Sequence, residues 1–158
     1  MQVGVGFDVH PLVAGRPLVL GGVTVPFSKG LQGHSDGDVL LHAIIDAMLG
    51  AAALGDIGTH FPSSDERYRG ISSLKLLEQT NALLRRHGLV VHNTDATIVA
   101  ELPVLKPYIE PMRMAVATSL NIQVDTVNIK AKTTDGLGFA GRGEGIAAYA
   151  VALLEPAS

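Results

Sequence analysis

Cysteine is absent from the 158 residues, which excludes disulfides and thiolate metal sites and leaves His, Asp or Glu to hold any metal. Tryptophan is absent too, and aromatic residues make up 4% of the chain, which argues against a base-stacking platform. The formal net charge of -3 offers no basic footprint for nucleic acid, and no apolar run is long enough to span a bilayer. No basic stretch precedes an apolar one at the N-terminus, so a secretory leader is not expected. What is present, 47% hydrophobic residues, suits one globular domain over 1–158 that buries roughly 70% of its unfolded surface. The expectation is a soluble cytoplasmic protein acting on a small molecule, with neither nucleic acid nor membrane as partner.

Val3, Val5, Phe7 and Val9 alternate with Gly4, Gly6, Asp8 and His10, which reads as a strand over 2–10. One face is apolar, and the other is two glycines followed by an acid and an imidazole. Glycine inside a strand marks a close approach by a ligand or another backbone, so the polar face looks cleared and Asp8 and His10 can share a cation. An ordinary strand end with a turn-forming Asp and Pro11 fits the same residues. Gly21-Gly22 between two β-rich runs predicts a hairpin. A long apolar helix follows "GHSDGD", with Asp36 or Asp38 as N-cap and Gly50 or Gly55 near its end. A second helix opens at Ser72-Ser73 and closes at Gly88, and a third covers 107–120. "LVVHNTDATIVA" and "DTVNIKAK" read as strands. "GIAAYAVALLE" suits a helix by its alanines but is assigned as a strand on Ile146, Ala148, Ala150 and Ala152. The predicted class is α+β (mixed α/β): a single domain with a mixed β-sheet of about four main strands plus an N-terminal hairpin, and helices packed on one face.

Three clusters carry chemistry. His42 lies among apolar residues of the first helix, with Asp38 and Asp46 one turn away on either side, so either carboxylate can orient its ring. A core histidine satisfied by its neighbours is the plainer reading. Joined with Asp8 and His10, however, it completes two imidazoles and one carboxylate, the ligand set of an open catalytic zinc site. The second cluster, His34, Ser35, Asp36 and Asp38, leads into a helix N-terminus and suits a phosphate or plain capping. The third, "KTTDGLGFAGRGEG", matches G-x-G-x-x-G at Gly136, Gly138 and Gly141, but glycines at 143 and 145 interrupt the helix a dinucleotide site needs. Thr133 and Thr134 hydroxyls, Asp135 for a hard cation and Arg142 for an anion suit a metal-bound phosphate instead.

"GFDVHPL", "GGV", "KGLQGHSDGDVLLHAIIDAMLGAAALGDIGTHFP" and "KTTDGLGFAGRGEGIAAYAVALL", in this order and over essentially the whole chain, resemble the 2-C-methyl-D-erythritol 2,4-cyclodiphosphate synthase family of the non-mevalonate isoprenoid pathway. The resemblance implies cyclisation of 4-diphosphocytidyl-2-C-methyl-D-erythritol 2-phosphate with release of CMP. It implies zinc on Asp8, His10 and His42, with a substrate diphosphate oxygen as fourth ligand, and magnesium or manganese on Asp135. It places His34 and Ser35 on substrate phosphate, Asp56, Ile57 and Gly58 on the methylerythritol hydroxyls, and Ala100, the 103–106 stretch with Lys106, Ala131, Lys132, Thr133 and Thr134 around the cytidine. His34, Thr134 and Asp135 form the implied catalytic set. Family members are homotrimers with sites between subunits, and Phe139, Arg142 and Glu144 would face a central cavity that holds an isoprenoid diphosphate. The implied location is the cytoplasm, or the plastid stroma for a mature plastid form. The chain departs from the family at Asp135, commonly Glu, and at Val104, commonly Lys, with Lys106 two residues on.

The implied reaction needs no side-chain nucleophile, because positioning and neutralising two repelling phosphates is the main task. A zinc-dependent phosphoester hydrolase and a non-catalytic trimer that senses isoprenoid diphosphates through Arg142 are the alternatives.

Overall fold

The computed structural model describes residues 1–158. The strands are β1 (Gln2–Ala14), β2 (Leu18–Leu20), β3 (Val23–Val25), β4 (Lys29–Leu31), β5 (Leu89–Val99), β6 (Val127–Lys132) and β7 (Gly145–Pro156). Five form one mixed sheet in the order β4-β1-β7-β5-β6, and β2 and β3 form a separate hairpin around Gly21 and Gly22. Four strands dominate the sheet, and β4 is a three-residue edge strand. The helices are α1 (Val39–Ala51), α2 (Ile57–His60), α3 (Ser73–Arg86), α4 (Ile109–Leu120) and α5 (Gly138–Gly141). The α+β class follows, with α1, α3 and α4 packed on one face of the sheet.

The first strand is longer than its alternation suggested. It pairs with β7 as far as Pro11 and with β4 from Leu12, so the proline sits where the partner changes, a position that tolerates its missing N–H. The third helix begins at Ile109, after a single 3-10 turn at Lys106–Tyr108. The ambiguous C-terminal run is a strand, with Ile146, Ala148, Ala150 and Ala152 all buried on the helix side.

The glycine face of β1 is cleared for a helix and not for a ligand. A Cβ on Gly4 would meet Ala47 O at 2.1 Å, and one on Gly6 would meet Ala43 O at 1.9 Å. In register on β7 stand Ala152 and Ala150, so glycine and alanine let the α1 backbone lie directly on the sheet. The apolar face of β1 is the one left open: Val3 is 68% and Val5 72% exposed, and Phe7 stacks at 4.9 Å on an exposed Tyr149. No helix is long and apolar enough to cross a membrane.

Candidate active site

Two steps along a strand advance about 7 Å and four along a helix about 6 Å, so the row Gly4, Gly6, Asp8, His10 keeps pace with Ala51, Ala47, Ala43 and the turn that carries His42. Where β1 changes from glycine to Asp8 and His10, α1 presents His42. Asp8 Oδ2 lies 2.7 Å from His10 Nε2 and 3.1 Å from His42 Nδ1, and the two nitrogens are 3.2 Å apart. Ligand atoms on a tetrahedral zinc, at bond lengths of about 2.0–2.1 Å, are about 3.3 Å apart, so this triangle fits such an ion with small adjustment. His10 Nδ1 lies 2.6 Å from Gln32 O, and a carbonyl can only accept, so Nδ1 bears the proton and Nε2 turns a lone pair toward Asp8. A lone pair facing a carboxylate needs a proton or a cation between them. Burial pushes the Asp8 carboxyl up, but hydrogen bonds to His10 and His42 and their charge outweigh it and hold the group well below the usual carboxylate range. For His10, burial lowers the pKa and Asp8 more than restores it, leaving it raised.

Neither carboxylate expected to orient His42 does so. Asp38 is fully buried, caps α1 by accepting Leu41 N–H at 3.1 Å, and accepts Gly21 and Gly22 N–H at 2.9 and 2.7 Å, tying the hairpin to the helix. Burial and the neighbouring Asp36 push its pKa up to about 6 against those backbone donors. Asp46 accepts Ile57 N–H at 2.8 Å and so anchors the start of α2. Both lie one helical turn from His42, but each was claimed by an unpaired backbone donor, which spacing alone does not reveal. His42 Nε2 instead meets Ser73 Oγ at 2.9 Å and Ser35 Oγ at 3.1 Å. Ser73 had been noticed solely as part of a helix start; its carboxylate partner Asp36 and its contact with His42 span 37 and 31 residues of sequence, beyond the reach of local pattern.

The triad opens on a cavity of about 250 Å³ that Ile57, Gly58, His34, Ser35, Phe61 and Tyr68 also line. His34 Nε2 is held 2.9 Å from Asp65 O, and Arg16 fixes its loop through Gly33 O and Ser35 O at 3.1 and 3.0 Å. Because Asp38 fills the N-terminus of α1 and Ser35 turns inward to His42, that helix end is not a free phosphate cradle. Asp56 caps α2, accepting Thr59 N–H and Oγ1–H at 2.9 and 2.7 Å.

Ala100, Lys106, Ala131, Lys132 and Thr133 line a second, separate cavity of about 340 Å³. It lies beyond the carboxyl ends of the parallel pair β5 and β6, the usual ligand end of such strands. Glu101, which sequence reasoning passed over, accepts Thr134 N–H and Gly136 N–H at 3.2 Å each and so brackets Asp135. Asp135 is exposed, in the left-handed region at φ 54°. Thr134 and Phe139 line a third, apolar cavity of about 440 Å³ with Phe7 and Tyr149 on the open sheet face. Arg142 lies outside it, paired with Glu144 at 2.8 Å. The structure thus joins Asp8, His10, His42, His34 and Ser35 with Ile57 and Gly58, leaves most other expected residues from Ala100 onward in separate cavities, and places Asp56 and Asp135 on the exposed surface, lining none of these cavities.

Known proteins match the chain over nearly its whole length. The family model described as the YgbB family matches residues 1–155. The chain is 62% identical over 154 residues to the 2-C-methyl-D-erythritol 2,4-cyclodiphosphate synthase of Pelotomaculum thermopropionicum, covering 98% of this chain and 95% of that protein. Among solved structures, the bifunctional IspDF of Campylobacter jejuni superposes with TM-score 0.94 at 41% identity; the match covers 98% of this chain and 42% of that longer one. The Plasmodium falciparum IspF in complex with CDP superposes with TM-score 0.87 at 30% identity, covering 99% and 97%.

Proposed function

The chain belongs to the YgbB family, that of the 2-C-methyl-D-erythritol 2,4-cyclodiphosphate synthases, and we propose that it converts 4-diphosphocytidyl-2-C-methyl-D-erythritol 2-phosphate to the 2,4-cyclodiphosphate and CMP. The observation that carries this reading is the convergence of Asp8, His10 and His42 on the wall of one cavity. In the reaction an oxygen of the 2-phosphate bonds to the β-phosphorus, the bond from that phosphorus to the bridging oxygen breaks, and CMP departs with the bridging oxygen.

Asp8, His10 and His42 would hold zinc, and the exposed Asp135 carboxylate a magnesium or manganese ion. Bound there, the cations supply positive charge that neutralises repelling phosphates. The protein's own residues position the rest. His34 and Ser35 line the triad's cavity and would contact phosphate there, Ser35 through the hydroxyl that otherwise faces His42, and Ile57 and Gly58 of the same wall, with the exposed Asp56 beside them in sequence, would hold the methylerythritol hydroxyls. Ala100, Lys106 and Ala131 to Thr133 form the cytidine pocket, a role supported by the CDP complex of a structural neighbour. Thr134 and Asp135 lie on the loop that Glu101 pins beside that pocket.

A single chain keeps the triad's cavity and the cytidine pocket apart, and it leaves a row of valines with Phe7 and Tyr149 open to water. Both features support a homotrimer in which neighbouring copies cover this row and complete each other's sites. Phe139 and the apolar cavity beside it would then face the threefold axis, where an isoprenoid diphosphate could lie with its charge toward Arg142.

Incubation with the cytidyl substrate and magnesium, followed by phosphorus NMR, tests the reading. Cyclic diphosphate with one CMP per turnover is expected. An acyclic product would support the hydrolase instead, and no turnover with tight binding of an isoprenoid diphosphate would support the sensor.

A further inference from the structure

His42 turns Nδ1 toward Asp8 and His10 and Nε2 inward, toward Ser73 Oγ at 2.9 Å and Ser35 Oγ at 3.1 Å. A serine hydroxyl has one hydrogen to give. That of Ser73 is directed at Asp36, whose Oδ1 lies 2.5 Å away and whose Oδ2 accepts Ser73 N–H at 3.0 Å. An ionised carboxylate only accepts, so Ser73 Oγ has lone pairs alone left for His42, and the ring proton must sit on Nε2. A ring protonated on Nδ1 would set two lone pairs against each other at this buried contact. It would also aim its N–H at the point where the three ligand atoms converge. Ser73 is wholly buried and His42 nearly so, and water is poorly placed to replace either partner. Ser35 does not make the same choice. Its hydroxyl hydrogen can go to His42 Nε2 or to Ser73 Oγ, 3.5 Å away, and its remaining neighbour, Gly37 N–H at 3.4 Å, is a donor.

We propose that Asp36 and Ser73 are positioning residues that act in series, Ser73 donating to Asp36 and accepting from His42, to hold the ring as the Nε2–H tautomer and keep Nδ1 free for the metal. The inference rests on the metal reading of the triad. It also gives a reason for a carboxylate in the turn before α1 to reach the first residue of α3: the contact fixes which histidine nitrogen carries the proton. A metal-bound imidazole whose far N–H meets a fixed acceptor is held at its best angle, and loss of such a partner costs about 10 to 100-fold in metal affinity.

The test uses the full-length protein, stripped of metal and labelled with nitrogen isotope in histidine. Proton–nitrogen correlation spectra report which ring nitrogen of His42 is protonated, and competition with a chromophoric chelator reports zinc affinity. Wild type is expected to carry a proton on Nε2 of His42; with the metal gone Nδ1 can share a further proton with Asp8, 3.1 Å away, so the Nε2 proton is the readout. Ser73→Ala is expected to mix the tautomers and to weaken zinc binding by about 10 to 100-fold at unchanged stoichiometry. Asp36→Asn leaves the serine in place but offers an amide that can donate to it, freeing its hydrogen for Nε2; the same direction of change is expected, and this variant decides the matter if Ser73→Ala does not fold. Ser73→Thr keeps the hydroxyl and should restore both readouts, which a loss of packing would not explain. Wild-type tautomer populations and zinc affinity in both Ser73→Ala and Asp36→Asn would overturn the proposal. The metal reading fails separately, if wild type binds zinc no more tightly than His42→Ala, and the tautomer spectra still judge the two positioning residues.

Discussion

A side chain on Gly6 would place its Cβ 1.9 Å from the carbonyl oxygen of Ala43, closer than any two such atoms can stand. The obstacle is helix backbone and not a side chain that can swing away, so Gly6→Ala must lift α1 from the sheet. Overpacking of this kind costs roughly 1–3 kcal/mol or more. Asp8 is two residues along the same strand face and His42 is the residue before Ala43, so the lift also spreads the triad. We expect a lowered melting temperature together with weakened zinc binding, read by thermal denaturation and metal competition on the same sample. Unchanged zinc affinity in a destabilised variant would show that triad spacing does not depend on this contact.

Val5 lies on the opposite side of the same strand, 72% exposed, and tests the proposed assembly. A charge there costs a separate chain little, because surface substitutions usually stay within about 0.5 kcal/mol. In a trimer whose copies meet on this face it would be buried without a partner. Val5→Glu is expected to sediment as a smaller species, to lose turnover, and to keep zinc, since Asp8, His10 and His42 all belong to one chain. A variant with the mass and activity of wild type would remove this face from the interface.

What was legible in the sequence was whatever repeats locally. The alternation of β1 placed Asp8 and His10 on one face, and the alanine spacing of β7 distinguished strand from helix. That the glycine face met a helix and the valine face stayed open was not legible, because alternation defines two faces without saying which one the core takes. His42 was singled out as a candidate ligand by its company, but helical spacing offered Asp38 or Asp46 as the partner that orients it. The hairpin N–H groups of Gly21 and Gly22 and the N–H of Ile57 compete for those carboxylates, and such competition appears when the chain is folded. Glu101 was overlooked for the same reason: the backbone it organises lies more than 30 residues away.

Asp38 gives the fold a pH dependence of unusual sign. Its pKa is about 6 in the folded chain against an ordinary 3.8, owing first to burial and then to Asp36. Between these values the folded state keeps a proton that the unfolded chain has released, so stability contributed by this group is complete below the lower value and declines as pH rises through the window. Asp8, with its depressed pKa, acts the other way and at lower pH. Asp38→Asn removes the titration and leaves a constant offset from its altered hydrogen bonds. The unfolding free energy of metal-free wild type minus that of Asp38→Asn should therefore fall from about pH 4 to about pH 6.5 and level off above. A flat difference, from urea titrations at each pH, would mean that Asp38 ionises as readily inside the protein as outside.

Asp135 combines a conformational demand with a proposed chemical one. At φ 54° it occupies the left-handed region, which Asn and Gly adopt readily, Asp tolerably and Glu less well. Glu101 fixes the peptides on both sides, so the residue cannot easily leave that region to suit a longer side chain. Asn at this position therefore keeps the backbone and removes only the charge, which makes it the clean test of a cation ligand. If the carboxylate holds magnesium or manganese, Asp135→Asn should lower turnover, and raised magnesium should recover part of the loss because the substrate's diphosphate supplies further oxygens. Zinc content should not change, since the triad shares no residue with this loop. Asp135→Glu keeps the charge at some conformational cost, and for a metal ligand it should still exceed Asn at limiting magnesium. A turn former with no ligand role reverses that order, Asn matching wild type and Glu falling below it. Steady-state rates of the three proteins across a magnesium titration separate the two, because conformational cost is indifferent to magnesium and ligation is not.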